Sequence, residues 1–190
     1  MFTYQIDREV SLALPTPEKD AAPLFDLLVA SQNEIAPWLP WVKSMKSPKD
    51  EQIFLENAMQ HFIEKTSLNV VILYHDEIVG MISFNRFSWF NKNTEIGYWL
   101  GTDFSGKGII QKAIQGMCNI GFEEYDLHKI TIHAAVENTR SNKTAERAGF
   151  TLDGTLRQQE RLADGYHDEN VWSLTKSEWE ASPCLSNSAE

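Results

Sequence analysis

The chain has 190 residues, 42% of them hydrophobic and 23% charged, and a formal net charge of −10. That length suits one domain with a full core, and no stretch approaches the roughly 18–20 apolar residues that a membrane span needs. The acidic balance argues against nucleic acid, which asks for a basic surface, while leaving a protein tail as partner open. Two cysteines, Cys118 and Cys184, make no disulfide framework. The first residues lack a basic-then-apolar leader pattern, so a cytoplasmic address is expected.

In chain order, residues 10–14 alternate and stop at Pro15, as a first strand would. Residues 20–33 read as a helix with Leu24, Leu27, Leu28 and Ser31 inward. Residues 48–65 read as a second helix with Leu55, Met59, Phe62 and Ile63 on one face. Strands are expected at 68–74 and 78–87, joined as a hairpin around His75, Asp76 and Glu77, and again at 94–100. The turn Ser105-Gly106-Lys107-Gly108 then opens a helical pattern of Ile110, Ala113, Ile114, Met117, Gly121 and Tyr125. A strand at 129–136 and a short helix at 143–148 follow. Residues 150–162 and 166–175 pair through Ala163, Asp164 and Gly165. Residues 1–176 thus read as one domain and 177–190 as a flexible C-terminal tail.

The glycine turn at the head of a helix is the feature with chemical content. It leaves several backbone N–H groups unpaired at the positive end of the helix dipole, where a phosphate or pyrophosphate binds. The spacing Gly101-x4-Gly106-Lys107 approaches a nucleoside triphosphate P-loop, but Gly108 stands where a magnesium-binding Ser or Thr is required. The dinucleotide fingerprint fails at Gln111, where a third glycine is needed. Taken alone, an ordinary strand-to-helix turn without a ligand remains open. His75, His128 and His133 show no metal-ligand spacing, and no metal is implied.

With the later segments added, the chain resembles the GNAT superfamily of acetyl-CoA-dependent N-acetyltransferases. The residues that carry the resemblance are 105–110, then Asn138 and Ser141, then Gly149-Phe150. The RimJ/RimL-like branch, which acetylates the N-terminal residue of ribosomal proteins, is closer still. It is matched by the early Trp38-Leu-Pro-Trp41 segment, Glu95 to Leu100, Asn138-x-x-Ser141-Asn142, Gln159-Glu160 and residues 165–168. The resemblance covers residues 5–180 and implies an α/β (α+β) GNAT fold: one mixed, mostly antiparallel sheet of about seven strands flanked by about four helices.

The resemblance also implies site residues. Gly106, Lys107, Gly108, Ile109 and Ile110 would offer backbone amides to the CoA pyrophosphate. Ser105 there replaces the usual Arg or Gln, and Ile110 replaces a small residue, so weaker affinity is the most these departures should cost. Tyr98, Trp99 and Leu100 would present backbone groups to the pantetheine arm and one oxyanion donor, and Asn138 would hold that arm through its amide. Glu160 is the candidate base; read without the family, it is a surface carboxylate paired with Arg157 or Arg161. The family's tyrosine acid is replaced by Ala145, and Ser141 is expected to hydrogen-bond the departing thiolate instead. Trp38, Pro40, Trp41, Trp89 and Phe90 are candidates for the acceptor groove, and His167 with Asp168 for proton transfer.

Chemistry narrows the acceptor. An α-amino group, with a pKa near 7.7–8.0, is neutral on the order of a tenth of the time at pH 7. A lysine is neutral about once in 2,500, a handicap of roughly 4–5 kcal/mol. A modest base therefore suffices for a protein N-terminus, the expected acceptor. A small amine such as a polyamine, amino sugar or antibiotic, and a non-catalytic acyl-CoA-binding module, are the rival readings. A homodimer is left open.

Overall fold

The computed structural model describes residues 3–182. Within them one eight-stranded sheet forms, in the order β1 (Thr3–Gln5), β2 (Val10–Ala13), β3 (Leu68–Tyr74), β4 (Glu77–Phe84), β5 (Asn93–Leu100), β6 (Lys129–Ala135), β8 (Gly165–Thr175) and β7 (Thr151–Leu162). Every neighbouring pair is antiparallel except β5 and β6. The helices are α1 (Pro17–Ala30), α2 (Gln32–Ile35), α3 (Pro48–Ile63), α4 (Ile109–Asn119), α5 (Thr139–Arg147) and α6 (Lys176–Ala181). None is long and apolar enough to cross a membrane.

Strand alternation divides the core in two. Leu12, Val70, Ile72, Ile82, Phe84, Ile96, Ile130 and Ile132 meet α4, with Met117 and Ile114 fully buried, together with Ala145 of α5 and Trp179 of α6. On the opposite face Val71, Leu73, Met81 and Trp99 meet Leu24 and Leu28 of α1 and Leu55 of α3. Each large side chain so buried contributes about 1.5–3 kcal/mol. Cys118 is buried in the first core, where burial raises its thiol pKa and leaves it inert. Cys184 lies outside the described residues.

Several boundaries differ from the sequence reading for local reasons. Helix α1 starts three residues earlier than expected because Pro17 fits its first turn and the Asp20 carboxylate accepts the Thr16 amide at 2.6 Å. Helix α5 starts four residues earlier, at the Asn138 cap. Residues 177–181 of the expected tail belong instead to α6, where Thr175 and Glu178 form a capping box, and residues 183–190 of it lie outside the described residues. Trp179 anchors that turn under Phe122, with ring centroids 5.3 Å apart. Leu55 is buried as expected, but Ile63, also expected inward, is 68% exposed; Ala58 and Glu51 complete the buried face of α3.

Glu51 is 1% exposed, and its Oε2 has no hydrogen-bond partner. Burial raises its pKa to about 7. A carboxyl whose native pKa exceeds its unfolded value costs nothing while both states are protonated. The cost accrues as pH rises from about 4.5 to about 7 and is fully present above. Glu51→Gln is therefore expected to stabilise the protein by about 2–3 kcal/mol at pH 8 and scarcely at pH 4. Thermal melts of both proteins at the two pH values check this.

Candidate active site

The site is made by two strands that part. Strands β5 and β6 run parallel and pair from Asn93 and Lys129 as far as Ile96 and Ile132. Beyond that point β5 stays on β4, through the pair of Gly80 and Leu100, while β6 stays on β8, through Ala135 and Glu169. The inner backbone edges of residues 97–100 and 133–135 thus face an opening without a ladder partner. A cleft of about 850 Å³ occupies it, lined by both strands, by α5 and by the turn before α4. This size falls in the usual range for small-molecule sites.

On the α4 side, the turn expected to grip phosphate has the required backbone. Gly106 and Gly108 adopt φ of 79° and 74°, and Gly108 caps α4. The first intrahelical bond runs from the Lys112 amide to the Gly108 carbonyl at 3.1 Å, so the amides ahead of it are not used by the helix ladder. Gly106, Gly108, Ile109 and Ile110 all border the cleft. Lys107 lies 5.1 Å from the Phe104 ring centroid and 5.6 Å from that of Tyr74. Ser105 Oγ is buried without a partner.

Sequence reasoning missed the basic face of α5. Arg140, Lys143 and Arg147 follow a spacing of three and four, which places them on one helical face, and all three line the cleft. That spacing was the available signal. Asn142, on the same helix, holds it to the sheet. Its Nδ2 donates to the Ala135 carbonyl at 2.9 Å, and its Oδ1 accepts from Trp172 Nε1 at 2.9 Å and Asn170 Nδ2 at 2.8 Å. Asn138 caps α5, its Oδ1 accepting the Ser141 amide at 3.1 Å. Ser141 Oγ and the Tyr98 hydroxyl are 2.9 Å apart, and both line the cleft. Burial raises the Tyr98 pKa. Ala145, where a family tyrosine is missing, is fully buried; a phenol from β5 reaches Ser141 instead. The Trp99 side chain packs in the α1-side core.

The other face of the opening is acidic. Alternation and register put Glu95, His133, Glu169, Glu160 and His167 on it together. Glu169 is 9% exposed and its Oε2 lies 3.1 Å from His133 Nδ1. Asn85 Nδ2 donates to Glu95 at 2.8 Å, in space left by Gly97, where a Cβ would meet the Asn85 side chain. Glu160 Oε2 is buried without a hydrogen-bond partner. Burial raises its pKa first and the Glu169 charge second, with Ala135 backbone and His167 pulling the other way. Neither arginine pairs with it among the described residues; Arg161 stacks over Tyr166 at 5.9 Å.

The aromatic candidates scatter. Trp38 lines the cleft. Trp41 instead stacks on Phe54 with centroids 6.4 Å apart, Trp89 stacks on Phe87 and donates to the Lys65 carbonyl, and Phe90 is 98% exposed. Pro40 begins a short 3-10 turn outside the cleft lining. The side chains of His167 and Asp168 are not brought together, because neighbours on a strand point to opposite faces. His167 binds Asp164 and Glu137, while Asp168 Oδ1 accepts the Gln158 amide at 2.9 Å. Among the described residues no group of three or more His, Cys, Asp or Glu side chains is arranged to hold a metal.

A sheet parted between two parallel strands, beside a glycine turn heading a helix, offers unpaired backbone edges next to an anion cradle, a site for an elongated phosphate-bearing ligand. Residues 10–151 match the model of the acetyltransferase (GNAT) domain, and the chain belongs to that family. It is 34% identical to the ribosomal-protein-serine acetyltransferase of Escherichia coli strain K12 over 157 residues, 82% of this chain and 87% of that one. Among solved structures, the microcin C7 self-immunity acetyltransferase MccE in complex with acetyl-CoA and AMP superposes with a TM-score of 0.85. It is 31% identical, covering 90% of this chain and 94% of its own. RimL, the ribosomal L7/L12 α-N-protein acetyltransferase in complex with coenzyme A, reaches a TM-score of 0.88 at 25% identity, over 92% and 98%. The protein is an acetyl-CoA-dependent N-acetyltransferase.

The residues present fit that co-substrate: unpaired strand edges suit pantetheine's amides, and the turn amides with the α5 cations suit its phosphates. In Gly108→Ala a new Cβ would meet nothing within 4 Å, so the cost is that of the left-handed backbone, about 1 kcal/mol. Thermal melts are expected to show that loss of stability, and calorimetry to show coenzyme A binding weakened by no more than about fivefold, the limit set by a free turn that relaxes out of this conformation.

Proposed function

We propose that the protein acetylates the N-terminal α-amine of a protein, with a ribosomal protein as the expected acceptor class. The observation that carries this reading is the convergence of Glu160 and the Ser141–Tyr98 hydroxyl pair on one cleft from three separate elements. The ribosomal-protein acetyltransferases similar to this chain support the choice of acceptor.

Glu160 takes the proton from the acceptor nitrogen. Its raised pKa makes it a stronger base than a solvated carboxylate, and an α-amine near pKa 7.7–8.0 asks for no more. One of the unpaired amides on the inner edge of residues 98–100 stabilises the developing oxyanion. Ser141 donates its hydroxyl hydrogen bond to the leaving sulfur, with the Tyr98 hydroxyl behind it. A phenol whose pKa burial has raised is a better hydrogen-bond donor than proton source here. Transfer is direct, since neither Cys118 nor any other residue in this arrangement is needed as an acyl carrier. A small polyamine remains the second reading, favoured by the carboxylates of Glu95, Glu160 and Glu169 around the acceptor side.

Thiol release with acetyl-CoA is expected with N-terminal Ser or Ala peptides and not with spermine; the opposite result favours the small-amine reading. Glu160→Gln should lower kcat by about 10²–10³, and Ser141→Ala by about tenfold, the worth of one charged hydrogen bond. In the kcat profile, activity rises with pH through a pKa above the ordinary carboxylate range, because the base works only when ionised. Glu169→Gln should move that limb to lower pH by removing the second cause of the shift.

A further inference from the structure

A second groove of about 710 Å³ adjoins the acetyl-transfer cleft. Trp38 lines both. Glu160 in the cleft and His167 in the groove are cross-strand partners, so their side chains stand about 5 Å apart at Cβ. Glu137 in the groove precedes Asn138 in the cleft. The groove thus starts beside the carboxylate that receives the acceptor amine and leads outward between α2 with its following 3-10 turn and the β7–β8 hairpin.

Its charges are unevenly committed. On one wall, Asp164 of the hairpin and Glu137 of the loop between β6 and α5 share one partner, His167, at 2.9 and 3.3 Å. The contact with Asp164, then that with Glu137, raises the His167 pKa, so one imidazolium offsets at most one of the two carboxylates and this wall keeps a negative charge. On the other wall Lys43 and Lys46 are exposed and, among the described residues, neither ammonium lies within ion-pair distance of a carboxylate. Two uncommitted cations at one mouth stand out in a chain of net charge −10. Screening over about 8 Å at physiological salt confines their pull to the groove and keeps it from being cancelled by the rest of the surface.

We propose that this groove holds the polypeptide that follows the acetylated residue, and that Lys43 and Lys46 select acceptors carrying Asp or Glu shortly after the N-terminus. The inference rests on the N-terminal acetylation reading and adds to it a sequence preference. An extended acceptor with its amine at Glu160 passes Trp38, whose indole gives it an apolar platform, and the side-chain amides of Asn33 and Gln32 are placed to bond its backbone. A free polyamine has no anion to offer the lysines, so the groove distinguishes a protein acceptor from a small cation.

The test uses the full chain, acetyl-CoA and two synthetic peptides with the same N-terminal Ser, one with acidic and one with basic residues after it. Serinamide serves as an acceptor too short for the groove. The expected result is a kcat/KM about tenfold higher for the acidic peptide. That preference is lost in Lys43→Gln/Lys46→Gln and inverted in Lys43→Glu/Lys46→Glu; both sites are exposed, so the variants fold. Equal rates for the two peptides with an unchanged ratio in both variants overturn the groove assignment, while acetylation of peptides and serinamide leaves the acceptor class intact. Spermine turnover without acetylation of serinamide or either peptide overturns both.

Discussion

The parting of β5 from β6 is the constraint on which the rest of the structure depends. Buried backbone groups must find partners, and two parallel strands inside a sheet would ordinarily find them in each other. Here the ladder stops at Ile96 and Ile132, while beyond that point β5 remains paired to β4 and β6 to β8. Helix α5 is wedged beside the opening, its Asn142 tied at once to Ala135, Asn170 and Trp172. The result is a slot through the sheet with one chemistry on each side.

Those sides are electrostatically opposed, as the reaction requires. An anionic donor and a cationic acceptor must meet in a protein whose net charge is −10. Backbone amides at residues 106–110 and the cations of α5 gather on the α4 side, where phosphates belong; Glu95, Glu160 and Glu169 gather on the other, where an ammonium belongs. Backbone donors do not depend on side-chain identity, so Ser105 and Ile110, which depart from the family pattern, leave the amides of the turn in place. The φ values of Gly106 and Gly108 form the cradle, whatever the side chain at its flanks.

Burial near the slot then sets the reactivity of individual groups. Glu160 Oε2 is shielded without a donor, and the neighbouring Glu169 is itself held by His133, so the carboxylate is pushed toward the proton-accepting range. Tyr98 meets the Ser141 hydroxyl from across the opening, although the two lie 43 residues apart in the chain. Cys118, by contrast, is on the buried face of α4, within the core and away from the cleft lining.

Local periodicity made much of this legible in the sequence. The glycine turn heading α4, the hairpin at His75 and Asp76, the closing Asp164-Gly165 turn and the alternating strands are all encoded within a few residues, where propensity and spacing act directly. The family motifs pointed to Asn138, Ser141 and Glu160, all three of which line the cleft. What depends on distant segments meeting was not readable: which aromatics reach the cleft, that α5 turns its basic face to it, that Glu169 stands beside Glu160, and that Trp179 finds Phe122 and so folds α6. Trp38 and Trp89 look alike in sequence, yet only the tertiary packing decides that one lines the site and the other covers Phe87. Short-range spacing determines which elements form, whereas burial and charge at a given atom come from neighbours brought in by the whole sheet.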